Sequence, residues 1–320
     1  MNDSMTAPDD DLSSFIGRRR FGTTFSTKEL LRRGLDWREA FDEMLNLGLN
    51  AVRIGAYWSD IEPEQGHFNF SELDELLDKC SDANLQVVLT LGMKGPRWPE
   101  FHIPLWAQNF DEQSDSGDIT GDKELCNQCL DYVEAVVRHV QGYKCITAFQ
   151  IENEPLDKAG ERRQIVNIDF VAQEADLVRR LDSGLRPIVI TAWCWSFKHD
   201  DDVKNALRYC NVLGLDVYSR VRGDDKTGEQ RAGVLPKHYK ALANAKGREA
   251  WITEAQAEPW NPSQFTKEDL DSLLAKLAKS DFDTVFLWGF EKWLDNKLNK
   301  DDDELWKAVR EAATDHLSKR

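Results

Sequence analysis

Short apolar runs, each followed by an amphipathic helical pattern, recur along almost the whole of this 320-residue chain, and that alternation leaves few folds open. The runs that read as strands are Phe21–Phe25, Ala51–Ala56, Gln86–Leu91, Ile146–Ile151, Pro187–Thr191, Val212–Asp216, Ala250–Thr253 and Thr284–Trp288. Helical patterns fall between them. Asp36 reads as an N-cap with Glu39 three positions on, and Trp37, Phe41, Met44 and Leu45 form one stripe. Ser71 is expected to cap a helix carrying Leu73, Leu76 and Leu77. Further helices are expected over Lys123–Val140, Ile168–Leu181, Val203–Tyr209 and Lys237–Ala245, from Thr266 through Lys279, and over Asp303–Leu317. Strands that are apolar on both faces and separated by helices are parallel strands covered on both sides. Eight in succession predict an α/β chain closed into a single (β/α)8 TIM barrel. No linker or composition shift divides the chain, so residues 1–18 are expected to be a disordered or extended segment and residues 19–320 one (β/α)8 barrel.

Composition removes several classes of function. A net charge of −16 repels the phosphates of a nucleic acid and favours a neutral or cationic ligand. No apolar run approaches the ~20 residues of a membrane span. The stretch Met1–Asp11 is acidic and polar, with neither the basic nor the apolar part of a secretory signal. Cys80, Cys126, Cys129, Cys145, Cys194 and Cys210 are scattered without a framework, which reads as reduced, partly buried thiols. Both features fit a cytoplasmic protein. Cys126-Asn-Gln-Cys129 has zinc-type spacing but no second pair, and the acidic runs His199–Asp202 and Asp301–Asp303 suit helix starts better than a calcium site. No glycine loop that could cradle a phosphate is present, and neither metal nor cofactor is expected.

Two glutamates then stand out, because each lies where a strand-like run gives way to a loop: Glu154 in Gln150-Ile-Glu-Asn-Glu-Pro155, and Glu254 in Trp251-Ile-Thr-Glu-Ala-Gln256. The carboxyl end of a barrel strand is where such folds place their chemistry, and two carboxylates can divide acid and nucleophile work at a glycosidic bond. Strand alternation puts Glu152 and Glu154 on the same side, with Glu152 deeper and supporting, and Pro155 biases Glu154 towards an extended backbone. Eight of the eleven tryptophans, Trp58, Trp98, Trp106, Trp193, Trp195, Trp260, Trp288 and Trp293, fall at strand ends or in the loops after them. About half should wedge loops onto the barrel, and the rest are candidates for stacking on pyranose rings.

These segments resemble a known group of enzymes. Asn153-Glu154-Pro155 looks like the Asn-Glu-Pro signature of clan A glycoside hydrolases, and Ile252-Thr253-Glu254 is similar to that clan's nucleophile strand. The stretch Val52–Phe70 is similar to strand two and its loop in families 5, 35 and 42; Gln150–Glu154 looks closest to family 35 and Pro96-Arg-Trp-Pro99 to family 42. The resemblance runs from Phe21 to Trp293. Families 35 and 42 usually carry further domains, whereas a bare barrel looks more like family 5.

The resemblance implies a retaining hydrolase of β-linked glycosides, with an oligosaccharide or polysaccharide as partner. Glu154 would be the acid/base and Glu254 the nucleophile, with Asn153 on the sugar 2-hydroxyl. Arg53, buried in strand two, needs a carboxylate partner, for which Glu254 is the natural candidate. Tyr218 could hold Glu254 through its phenol, and Trp288 is the expected stacking platform. Trp58, Trp98, His102 and Trp293 complete the candidate sugar contacts. An open groove lined by Trp98, Trp106 and Trp260 would favour an endo-acting β-glucanase or β-mannanase, and a blind pocket an exo-glycosidase. A non-catalytic carbohydrate-binding barrel is the rival from another class. Oligomeric state is not legible in the chain.

Overall fold

A computed structural model describes residues 19–108, 117–221, 225–259 and 265–318. The segment 1–18, given above as disordered or extended, and Trp260 lie outside the described residues. Eight parallel strands close into one barrel in sequence order, β1 pairing with both β2 and β8. The strands are β1 (Arg20–Phe25), β2 (Ala51–Gly55), β3 (Gln86–Leu91), β4 (Ile146–Ile151), β5 (Ile188–Trp193), β6 (Val212–Val217), β7 (Glu249–Gln256) and β8 (Thr284–Trp288). The expected (β/α)8 fold is therefore present.

The helices follow in chain order: α1 (Thr27–Arg32), α2 (Trp37–Leu45), α3 (Trp58–Ile61), α4 (Ser71–Asp82), α5 (Lys123–His139), α6 (Ile168–Leu181), α7 (Asp200–Tyr209), α8 (Asp225–Ala245), α9 (Lys267–Ala278), α10 (Phe290–Asn299) and α11 (Glu304–Ser318). Asp36 caps α2 as expected, its side chain accepting from the backbone N–H groups of Arg38 and Glu39. Three helices were not legible. α1 and α3, of six and four residues, are too short for a periodic stripe, and α10 starts directly after β8 at Gly289, with no polar cap to announce it. Ser71 is the first residue of α4 rather than its cap; Asn69 supplies the side-chain oxygen that accepts from Ser71 N. α8 begins well before Lys237 and carries Pro236 in its interior, which is why the sequence seemed to start a helix there.

Two layers of apolar side chains hold the barrel. Its interior is plugged by Ala51, Val88, Ala148, Val189, Val212, Trp251 and Phe286, one from each of seven strands. The outward strand residues, among them Val52, Ile54, Leu89, Ile190 and Leu287, pack under the helices. The plug separates two buried polar layers: Arg20, hydrogen-bonded to Gln86 and Thr284, below it, and Arg53, Gln150 and Thr253 above it. The upper layer faces the carboxyl-terminal mouth, the end at which such barrels place their chemistry.

Candidate active site

At the mouth, Arg53 organises the floor. Its side chain is completely buried and its Nη1 lies 2.8 Å from Glu254 Oε1. Nε donates to Gln150 Oε1 at 2.7 Å, Nη1 also donates to Thr24 Oγ1 at 3.2 Å, and Nη2 donates to Asn153 Oδ1. Three strands, β1, β4 and β7, are thereby tied to one guanidinium carried by β2. Tyr218, just beyond β6, donates its hydroxyl to the other Glu254 oxygen, Oε2, at 2.5 Å. Both oxygens of Glu254 are thus held by donors, which fixes the rotamer of its side chain.

Glu254 reaches the interior through an irregularity. Leu215 pairs with Ile252 but Asp216 pairs with Glu254, so Thr253 is an extra residue in β7. Such a bulge re-aims the residues that follow it, and here it lets both Thr253 and Glu254 face inward. Strict alternation would have turned Glu254 out towards the helices.

Glu154 arrives differently from the sequence expectation. The strand ends at Ile151, and both Glu152 and Glu154 have left-handed backbone, with φ of 57° and 42°. The extended conformation expected before Pro155 is overridden by contacts on either side. Glu154 N donates to Thr191 Oγ1 at 2.8 Å, and the Glu154 carbonyl accepts from the buried Lys94 ammonium at 2.9 Å. Glu152 turns back into the barrel wall, where its carboxylate accepts from Met93 N at 2.8 Å and from Lys94 N. A Cβ on Gly92 would sit 2.4 Å from that carboxylate, so glycine is required there.

The result is three carboxylates in one place. One oxygen each from Glu154, Asp216 and Glu254 lies within 4.8 Å of the others. Burial pushes the Glu154 carboxyl well above the usual carboxylate range, and the charges of Asp216 and Glu254 push the same way. Glu100, on the loop after β3, is raised to about 7, first by burial, although Lys94 opposes the shift. Burial, with the Glu254 charge beside it, also raises the Tyr218 phenol, which stays a donor. The cavity over these groups is lined by Glu100, Asn153, Glu154, Trp193, Tyr218 and Trp288, among others. Trp288 is mostly buried and lies under the Arg97 guanidinium, 3.9 Å from the ring centroid. Arg97 is held in turn by Glu258 and Glu291.

Of the candidate residues, Glu154, Glu254, Asn153, Arg53, Tyr218 and Trp288 come together at the mouth. The remainder do not. Trp58 is fully buried, stacked on Tyr132 at 5.4 Å with its indole N–H on Glu62, so it is core. Trp106, half-buried, packs edge-on against Trp58, donates to the Glu62 carbonyl and does not line the cavity. Trp293 is buried in α10 and bonds the Ala257 carbonyl. His102 is neither solvated nor at the cavity. It packs on Tyr57 with ring centroids 4.2 Å apart, and burial lowers it to about 3, so it is neutral. Trp98 is 56% exposed and does not line the cavity. Trp58, Trp106, Trp293 and His102 are spent on packing loops and helices against the barrel. Sequence reasoning missed Asp216, Gln150, Glu100 and Trp193 as site residues. Asp216 carried the same signal as the glutamates, a carboxylate closing a strand in Val212-Leu-Gly-Leu-Asp216.

A parallel barrel with buried carboxylates converging at its mouth is an arrangement able to host the hydrolysis of glycosidic bonds. Residues 31–164 match the model of glycoside hydrolase family 42, described as β-galactosidase. A segment of 71 residues, 22% of the chain, is 32% identical to a β-galactosidase of Bifidobacterium bifidum, of whose length the chain spans 9%. Among solved structures, a family 5 subfamily 18 protein of Streptomyces cattleya in complex with GlcNAc superposes with a TM-score of 0.70 at 17% identity, over 95% of this chain and 81% of that one. An exo-β-1,4-mannosidase of an Opitutaceae bacterium gives 0.66 at 16%, over 94% and 60%. A family 5 subfamily 18 variant of Bifidobacterium longum, in complex with Manβ1-4GlcNAc, gives 0.69 at 14%, over 94% and 79%. The resemblance to clan A glycoside hydrolases of the family 5 and family 42 kind, drawn above from the strand-end motifs, is borne out by these likenesses.

Proposed function

We propose that the chain is a retaining β-glycosidase in which Glu154 is the acid/base and Glu254 the nucleophile. The observation that carries this reading is the close approach of the two glutamates, with oxygens within 4.8 Å, while Glu254 is gripped at both oxygens and Glu154 is not. Carboxyl groups ~5–5.5 Å apart suit direct attack on the anomeric carbon, whereas inverting enzymes hold theirs ~6.5–9.5 Å apart to admit a water. Glu154, its carboxyl kept protonated by burial and by neighbouring charge, gives its proton to the leaving oxygen as Glu254 Oε attacks. A covalent glycosyl ester on Glu254 results. Glu154, now ionised, takes a proton from water, which displaces the sugar and regenerates both groups. The Asn153 carbonyl oxygen is occupied by Arg53 and Gln150, which leaves its amide nitrogen to donate to the sugar. Trp288, backed by Arg97, offers a face to the ring.

With Trp106 packed edge-on against Trp58 and not part of the cavity lining, a pocket for a terminal sugar is favoured over an extended aromatic groove. The test is a panel of aryl β-glycosides, headed by the β-galactoside and β-mannoside that the relatives' descriptions name, alongside β-linked glucan and mannan. Turnover of an aryl glycoside with retained anomeric configuration, seen by NMR of the first-formed sugar, supports the reading. Inversion would overturn the mechanism, and binding without turnover across the panel would favour a carbohydrate-binding barrel. Location in the cell and oligomeric state are separate questions for fractionation and sedimentation; a cytoplasmic protein remains our expectation from the sequence. Among the described residues no helix is long and apolar enough to cross a membrane.

A further inference from the structure

We propose that Asp216 is the proton partner of Glu154, a positioning residue that holds the acid/base loaded before attack and basic after it. This rests on the assignment of Glu154 above. Register places Asp216 opposite Glu254 on one side and Trp193 on the other, so its side chain enters the cluster between β5 and β7. It is completely buried. Its two oxygens are treated differently. Oδ1 accepts from Thr253 Oγ1 at 2.6 Å, while Oδ2, also buried, has no hydrogen-bond partner of ordinary geometry. A buried carboxylate oxygen without a donor is costly, and a protonated carboxyl directed at it removes that cost. The available one is Glu154, within 4.8 Å, because Glu254 is already engaged by Arg53 and Tyr218.

The other ionisable groups around the pair do not replace it. Arg53, from β2, faces Glu254; Lys94 spends its ammonium on the carbonyls of Glu154 and Asp157 and lies 3.6 Å from Glu100. Asp157 and Glu100 add negative charge on the Glu154 side, the Tyr218 phenol faces Glu254, and the Cys194 thiol, after β5, is buried beside Asp216. Burial and the Glu254 charge push the Asp216 carboxyl up, but Arg53, the Thr253 hydroxyl and the Glu154 carboxyl favour its charged form. Burial and the charges around Glu154 all favour its protonated form, so the proton of the pair sits on Glu154. Glu154 O–H then donates to Asp216 in the resting state. During the first half-reaction that proton moves to the leaving oxygen. Once Glu254 is esterified its charge is gone, and Asp216 is the anion of the cluster that keeps Glu154 basic enough to take a proton from water. The anomeric carbon exchanges its leaving oxygen for Glu254 Oε and then for the water oxygen, and no atom changes oxidation state.

The experiment is a pH titration of the carboxylic C=O infrared band that disappears in Glu154→Gln, compared between the parent protein and Asp216→Asn. Removing a like charge at this distance lowers a buried carboxyl by about one pH unit or more. The Glu154 midpoint should therefore fall by at least that much, and the alkaline limb of kcat/KM for a substrate with a poor leaving group should fall with it, a tenfold loss of activity on that limb per unit. If Asp216→Asn does not fold, Thr253→Val removes the hydroxyl that favours charged Asp216 and should move the midpoint in the same direction by less. A folded variant of either kind with an unmoved or raised midpoint overturns the proposal. Because the infrared readout needs no turnover, a shifted midpoint in a protein inactive on every glycoside would sink the glycosidase reading and leave the pair standing. Turnover with an unmoved midpoint would do the reverse.

Discussion

Glu174, on α6, faces Glu152 behind the active-site strand, and replacing it with glutamine should make the protein's stability depend less on pH. Both carboxyls are completely buried, and one atom each from Cys129, Glu152 and Glu174 lies within 4.8 Å of the others. Glu152 is raised to about 7, chiefly by burial, with the Met93 and Lys94 amides opposing; Glu174 is raised well above the usual range by burial and by the Glu152 charge. A carboxyl whose folded pKa is raised contributes stability that is full below its unfolded pKa and is lost as pH rises through the folded value. Over the interval between the two, the folded chain keeps a proton that the unfolded chain has released. Each pH unit there costs about 1.4 kcal/mol per retained proton. Glu174→Gln preserves shape and a donor towards Glu152 but never titrates. Above the unfolded pKa its stability relative to the parent should rise with pH, by up to about 1.4 kcal/mol per unit for as long as folded Glu174 keeps its proton. Urea unfolding at half-unit pH steps measures the difference. Parallel curves for the two proteins would refute the reasoning, since they would mean that Glu174 is ionised in the fold at neutral pH.

Arg53→Met should destabilise the fold by about 3–5 kcal/mol, because it leaves Glu254 buried without its guanidinium and frees Asn153, Gln150 and Thr24; thermal melting measures the loss, and a change under 1 kcal/mol would contradict it. Trp58→Ala should cost about 3–5 kcal/mol of stability, as a large core truncation. By contrast, Trp288→Ala should act mainly on kcat/KM, through the face it turns to the cavity; the reverse pattern would exchange their assignments. Glu154→Ala should spare the first step for aryl glycosides with activated leaving groups and cripple it for poor ones, which rapid-quench kinetics on the two substrate types separates.

The barrel was legible because parallel strands buried on both faces leave short, mostly apolar runs, and every one of the eight lies within a few residues of its expected place. The strand-end glutamates were legible for a related reason: a carboxylate that closes such a run serves no packing purpose. What failed was local. The aromatics at strand ends look alike in sequence, yet Trp58 and Trp293 are core while Trp193 and Trp288 line the cavity, a difference set by which way a loop folds back. The bulge at Thr253 has no marker such as glycine, so the inward turn of Glu254 could not be read from strand alternation. Nor could the left-handed backbone at Glu154, where a hydroxyl from β5 and an ammonium from the β3 loop outweigh the preference imposed by proline.

The most direct test of the proposed mechanism is to trap its covalent intermediate. A 2-fluoro glycoside with a good leaving group, matched to the sugar found in the aryl panel, should let the first step proceed while slowing the second, so the glycosyl-enzyme accumulates. Peptide mass mapping should then place one added sugar on the peptide carrying Glu254, and Glu254→Ala should abolish the label. A label on Glu152 or Glu258, with Glu254→Ala still active, would contradict the assignment.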